Sequence, residues 1–299
     1  MIAEAAPRPG PLAVWWMGAR PRTLVAAVVP VLVGASWAGR GAISIPRSLL
    51  ALVVAVALQI AVNYANDYFD GVSGVDSAAR LGPRRLVASG LAPAGAVAAA
   101  AIVMVCIAAV AGVVLALLTT PWLIAAGALA VLALVLYSGG PKPYAASGLG
   151  EISVFVFFGL AATCGTAFVQ HGRLDASVLW LAVPVGLLAC ALLMVNNLRD
   201  IPTDGAVGKR TLAVRLGARR SRTVLIAVVV IALLLPSIGA VLRALPWLVA
   251  MTLVTIPLAY APLRVASTAE GRALVPALVG ITRLQLVFGV VLAGALLAS

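Results

Sequence analysis

Asn63, Asn66, Asp67 and Asp70 are spaced i, i+3, i+4 and i+7 in the stretch NYANDYFDGVSGVD, directly after the apolar run ALVVAVALQIAV. At 3.6 residues per turn this spacing predicts one polar stripe on a helix end. A second stretch, NNLRDIPTDGAVGKRTLAVRLG, repeats the pattern: Asn196, Asp200 and Asp204 follow at i, i+4 and i+8, and Asn197 adjoins the first of them. The Asn66/Asp70 and Asn196/Asp200 pairs lie 130 residues apart. Asp67, Asp70, Asp76, Asp200 and Asp204 make up five of only nine acidic residues, and Glu151 is a sixth at a comparable position. Interfacial carboxylates often only cap helices or pair with arginine, but two matching stripes argue for a shared role. Carboxylates and amides on two facing stripes suit Mg²⁺, which is held by one or two carboxylates together with substrate phosphates. Basic residues stand in the same or neighbouring loops, namely Arg84, Arg85, Lys142, Arg199, Lys209 and Arg210. Arginine offers phosphate a bidentate fork and lysine a point charge. The expected ligand is a diphosphate.

The elements that must position these residues are apolar. The chain has 299 residues, 63% hydrophobic and 10% charged, with a mean hydropathy of +1.14. Soluble domains carry about 25% charged residues. Nine stretches of membrane-spanning length are expected, at about 23–39, 48–66, 94–118, 122–139, 149–169, 177–197, 223–242, 245–262 and 274–297. This predicts an all-α polytopic membrane protein, one domain over 1–299 with a short cytoplasmic lead at about 1–22 and an interfacial Trp15–Trp16 pair. With the N-terminus inside, 16 of the 21 Lys and Arg fall in cytoplasmic segments, so the net charge of +12 reads as orientation rather than nucleic-acid binding. Both acidic motifs then lie on the cytoplasmic side. Cys106, Cys164 and Cys190 sit within spans, which predicts packing thiols rather than disulfides or a metal site. A diphosphate clamp opening into an apolar bundle calls for a substrate with an anionic head and a long hydrocarbon tail, such as a polyprenyl diphosphate.

At these residues the sequence resembles the UbiA superfamily of intramembrane aromatic prenyltransferases. Asn66-Asp67-Tyr-Phe-Asp70 matches the first motif and Asp200-Ile-Pro-Thr-Asp204 the second, while Asp76 follows Asp70 by six positions where the family pattern has four. NYANDYFDG, GPRRLVASG, YSGGPKPY, GLGE and the second long motif are similar to the branch acting on 1,4-dihydroxy-2-naphthoate in menaquinone biosynthesis. The resemblance implies nine helices around a central cavity open to the cytoplasm, in a bacterial plasma membrane, with a lateral opening for the tail. It implies Mg²⁺-dependent transfer of a polyprenyl group to the carboxylate-bearing ring carbon, with loss of CO₂. Asn66, Asp67, Asp70, Asp200 and Asp204 would bind Mg²⁺–diphosphate. Arg85, Lys142, Lys209 and Arg210 would contact the diphosphate or the acidic acceptor, with Lys142 expected on the acceptor carboxylate. Asn63, Asn196 and Asn197 are expected at the substrate, and Tyr137 and Tyr144, with Tyr64 and Tyr68, present ring faces to a carbocation. Competing readings are a family member using 4-hydroxybenzoate or homogentisate, a CDP-alcohol phosphotransferase, and a cation transporter. The phosphotransferase motif breaks after Asp67-x2-Asp70-Gly71, and the transporter reading expects ion sites near the midplane rather than at span ends.

Overall fold

The computed structural model describes residues 9–39, 41–74, 82 and 84–299; Asp76 and Arg80 lie outside them. Among the described residues the chain is helical, with no strand. The helices are α1 (Pro11–Ala19), α2 (Val25–Ser36), α3 (Ile45–Val72), α4 (Ala94–Leu117), α5 (Trp122–Ser138), α6 (Gly150–Val154), α7 (Ala162–His171), α8 (Leu179–Ala206), α9 (Leu212–Val241), α10 (Ile256–Thr268) and α11 (Val275–Ala298). A π-helical stretch, Phe155–Ala161, joins α6 to α7, so that Gly150–His171 forms one span.

Among the described residues seven helical stretches are long and apolar enough to cross a membrane, and the chain is a multi-pass membrane protein. An eighth crossing exists if Pro11–Thr23 and Val25–Ser36, bent by 51°, count as one span. The bend falls at Leu24, between Thr23 and Val25; one turn earlier the left-handed backbone of Arg20 (φ 52°) ends α1, followed by Pro21. The expected span at 122–139 appears as α5, whose 17 residues fall short of the roughly 20 that a span needs.

The sequence places the ends of two spans too early. α3 and α8, each 28 residues, run past the expected ends at 66 and 197, so both acidic motifs ride on regular helix rather than in loops. At 1.5 Å per residue each helix is about 42 Å long, enough to cross the hydrocarbon and project beyond it.

Helix contacts depend on small residues, as expected where lipid removes the hydrophobic drive between helices. A Cβ added at Gly159 would stand 2.6 Å from Gly186 Cα, so the π-helical stretch and α8 meet backbone to backbone. A Cβ at Gly34 would stand 2.4 Å from the Thr163 carbonyl, which fixes α2 against α7. The largest buried cluster gathers α2, α8, α9 and α11 around Leu181, Leu188, Ile281, Leu284 and Phe288. At the end away from the acidic motifs, Arg47 donates to the carbonyls of Leu118, Val169 and Gln170 and ties α3 to the ends of α4 and α7. α5 differs from the rest: it packs against α3 and α4 and buries only Leu134.

Candidate functional site

The site is built from the end of α3 outward. Asp67 is buried, and its two carboxylate oxygens accept the backbone N–H groups of Leu86 (2.8 Å) and Val87 (3.0 Å). Gly71 leaves room for Val87, because a Cβ there would lie 2.6 Å from Val87 Cγ1. Leu86 is fully buried against Gly18 and Tyr64. Together these contacts seat the segment beginning at Arg84 on α3. The seating turns Arg85 back onto Asp70, one turn beyond Asp67, at 3.2 Å. Lys209, from the loop after α8, reaches the same Asp70 oxygen at 3.2 Å. Asp70 therefore joins the two motif regions across 139 positions of sequence.

On α8, Arg199 grips Asp200 through two hydrogen bonds of 2.7 Å, both side chains buried. Pro202, which lacks an N–H, lies within the helix between Asp200 and Asp204. Lys209 donates its backbone N–H to the Asp204 carbonyl, which turns the chain back toward α3. Asn196 donates to the Leu192 carbonyl and Asn197 to Glu151 Oε1 at 2.8 Å. Asn66 accepts from the Ser138 hydroxyl at 2.7 Å, and Asn63 donates to the Ala19 carbonyl and to Thr23. Asn63 thus fixes the break between α1 and α2 against α3.

These groups border one cavity of about 1680 Å³. Its polar end is lined by Asn63, Asn66, Asp70, Arg85, Asn196, Asn197, Asp200, Asp204 and Lys209. From there it runs between apolar walls to Val31, Ala51, Leu115, Leu123 and Val169. The volume exceeds the usual 300–1,000 Å³ of small-ligand pockets. Tyr137 and Tyr144 line it and stack edge to face at 5.4 Å between ring centres. The Tyr144 hydroxyl donates to the Ala133 carbonyl and meets Ser153 at 3.0 Å. Burial raises the Tyr144 pKa, the Ser153 contact pulling the other way.

Not every expected residue converges. Asp67 is spent on the backbone of the Arg85 segment and is not among the lining residues. Lys142 is exposed and outside the lining, although Pro141 and Pro143 on either side of it belong to the wall. Arg210 is exposed too; its backbone N–H donates to the Ala146 carbonyl, and its own carbonyl accepts from Arg215. Tyr64 is turned to α1, donating to the Trp15 carbonyl with the two rings edge to face. Within the N-terminal lead, Pro11–Ala19 is thus a helix laid on α3 in which Trp15 packs and Trp16 is exposed. Arg20, Arg22 and Arg199 line the cavity, although the sequence presents the first two only as orientation charges. The signal for them was their place directly before the first apolar run.

A model of the UbiA prenyltransferase family matches residues 27–277. The chain belongs to that family. It is 48% identical over 288 residues to the 1,4-dihydroxy-2-naphthoate octaprenyltransferase of Mycobacterium tuberculosis, covering 94% of this chain and 96% of that one. It is 36% identical over 256 residues to the Haemophilus influenzae protein of the same name, covering 83% of each. Among solved structures, a UbiA homologue from Archaeoglobus fulgidus bound to GPP and Mg²⁺ superposes with a TM-score of 0.67 at 15% identity, over 96% of this chain and all of that one. A UbiA homologue from Aeropyrum pernix gives 0.65 at 17% identity, over 93% and 98%. At these identities the structures speak for the fold alone, and the fold is that of the family.

The donor set fits a divalent ion completed by substrate. Among the described residues no three His, Cys, Asp or Glu side chains converge into a cage. Asp70, Asp200 and Asp204 instead border one opening beside Asn66, with cations already on Asp70 and Asp200. This is the chemistry of a hard cation shared with phosphate oxygens.

Proposed function

We propose that this UbiA-family enzyme transfers a polyprenyl group from polyprenyl diphosphate to 1,4-dihydroxy-2-naphthoate, with loss of CO₂. The observation that carries the reading is Asp70, held by both Arg85 and Lys209 at the polar mouth of an apolar cavity. The naphthoate acceptor comes from the names of the curated relatives. Nine crossings, with α5 and the bent α1–α2 pair included, would place this mouth on the cytoplasmic face of a bacterial plasma membrane. The chain would act as a single catalytic unit.

Asp70, Asp200 and Asp204, with Asn66, would hold Mg²⁺ against the diphosphate. When bound, Mg²⁺ supplies charge neutralisation at the leaving group. Arg85 and Lys209 would trade part of their contact with Asp70 for phosphate oxygens, strengthening as the C–O bond breaks and its electron pair leaves with diphosphate. Asp67 contributes by keeping Arg85 in place. The apolar walls keep water from the allylic cation, and the Tyr137 and Tyr144 rings offer their π faces to it. The carboxylate-bearing ring carbon then forms the new C–C bond. The ring–carboxylate bond breaks, CO₂ departs, and its electron pair restores aromaticity.

The test is turnover by protein reconstituted in liposomes with Mg²⁺ and a polyprenyl diphosphate, offering the naphthoate, 4-hydroxybenzoate or homogentisate. A product from the naphthoate lighter by CO₂ is expected. Equal turnover of 4-hydroxybenzoate, or a product that keeps its carboxylate, would overturn the acceptor assignment.

A further inference from the structure

Glu151 stands in the first turn of the span Gly150–His171, only 8% exposed. Its Oε1 accepts from Asn197, while Oε2 is buried with no hydrogen-bond partner among the described residues. An unsatisfied buried carboxylate oxygen is costly and requires an explanation. The backbone of Glu151 is held on α8 as well, since the Cys190 thiol donates to its carbonyl at 3.1 Å. Glu151 thus meets α8 at two points two turns apart, and its side chain is committed to Asn197.

Glu151 Oε1 accepts from the Asn197 NH₂, which leaves Oδ1 as the other end of the amide. Asn197 lines the cavity, and its only side-chain hydrogen bond among the described residues is the one to Glu151. Tyr137 borders the same corner: a Cβ added at Gly150 would lie 3.5 Å from the Tyr137 hydroxyl. The wall here offers a carbonyl-type acceptor whose direction is set from behind by a buried carboxyl group.

We infer that Glu151 is a positioning residue that aims Asn197 Oδ1 at a ring hydroxyl of the aromatic acceptor. The inference rests on the proposed reading only in requiring a hydroxylated aromatic acceptor. When the ring carbon bonds to the prenyl cation, positive charge spreads onto the neighbouring hydroxyl, and its O–H bond leans on Asn197 Oδ1. No proton need leave the substrate for this. The carboxylate polarises the amide it holds, which makes Oδ1 a better acceptor.

The experiment compares a hydroxylated acceptor with its O-methyl analogue in reconstituted liposomes, for wild type, Asn197→Leu, Asn197→Ser, Glu151→Leu and Glu151→Gln. A site built around a substrate hydroxyl discriminates strongly against its loss, and about 100-fold or more is expected of the wild type. Asn197→Leu and Glu151→Leu should cut that ratio by about 10-fold or more and raise the acceptor KM, leaving the prenyl diphosphate KM unchanged. Glu151→Gln should retain most of the discrimination, because its carbonyl can still accept from Asn197. Asn197→Ser, the milder change, should follow Asn197→Leu even if the leucine variant folds poorly. The inference is overturned if discrimination survives in the Asn197 variants, if both KM values rise together, or if Glu151→Gln is as damaging as Glu151→Leu. Should the wild type prefer another hydroxyaromatic acid, the naphthoate reading fails. The same ratio measured on that acid still decides the role of Glu151.

Discussion

Asp70 accepts from Arg85 and Lys209, whereas Asp67, three residues earlier, accepts two backbone N–H groups. Both are acidic residues of one motif, yet their substitutions should read out differently. Asp70→Asn removes charge where the proposed diphosphate would dock and should lower kcat/KM by about 100-fold or more, the scale of losing one charge-stabilising group. Asp200→Asn should match it. Asp67→Asn can satisfy only one of the two N–H groups and sets an NH₂ against the other, a cost of about 1–3 kcal/mol. Its main kinetic effect should be a raised KM for prenyl diphosphate as Arg85 loses its seat, accompanied by faster proteolysis near residue 84. Full activity of Asp70→Asn and Asp200→Asn together would remove the clamp. Lys142→Met should leave the diphosphate KM alone, since Lys142 lies outside the cavity wall.

At the scale of elements, Gly71 and Gly159 set how closely neighbours approach. Gly71→Val would drive a side chain into Val87 and lift the Arg85 segment. Activity should fall while the protein still inserts, as checked by membrane fractionation. Gly159→Leu meets Gly186 backbone, which cannot yield. Its thermal stability in detergent should drop markedly. These elements also show how much the sequence disclosed. Hydropathy found the apolar body of α2 to α5 and of each later span, because desolvation of the backbone demands it, but it left α1 inside the lead. It ended α3 and α8 early, because Asn66–Asp70 and Asn196–Asp204 are polar yet helical, carried by tertiary partners such as Ser138, Arg85 and Glu151. The spacing of the acidic residues was legible, whereas the division of labour between Asp67 and Asp70 was not. That division depends on where residues 85–87 dock, and no local pattern encodes docking.

The whole molecule brings the ends of α3 and α8 to one mouth, a property that topology can test. Cysteine-accessibility mapping of residues 73 and 206 should place both on the same side of the membrane, and opposite sides would dissolve the shared site. Chelation with EDTA should abolish turnover and Mg²⁺ restore it; metal-independent turnover would count against the proposed clamp.

α5 hides a single side chain, Leu134, while Ala126, Gly127 and Ala130 on it line the cavity. Such a wall is one helix thick, and with a prenyl tail inside and lipid outside it would have hydrocarbon on both sides. A tail that outgrows the protein would exchange contact with leucine and alanine for contact with acyl chains, at little difference in free energy, since lipid tails are as apolar as Leu. Each further isoprene unit would then add almost nothing to affinity. Donors of quite different length should show nearly equal KM, and the length of the natural product would be set by whichever enzyme builds the donor, with this protein acting as a ruler without marks.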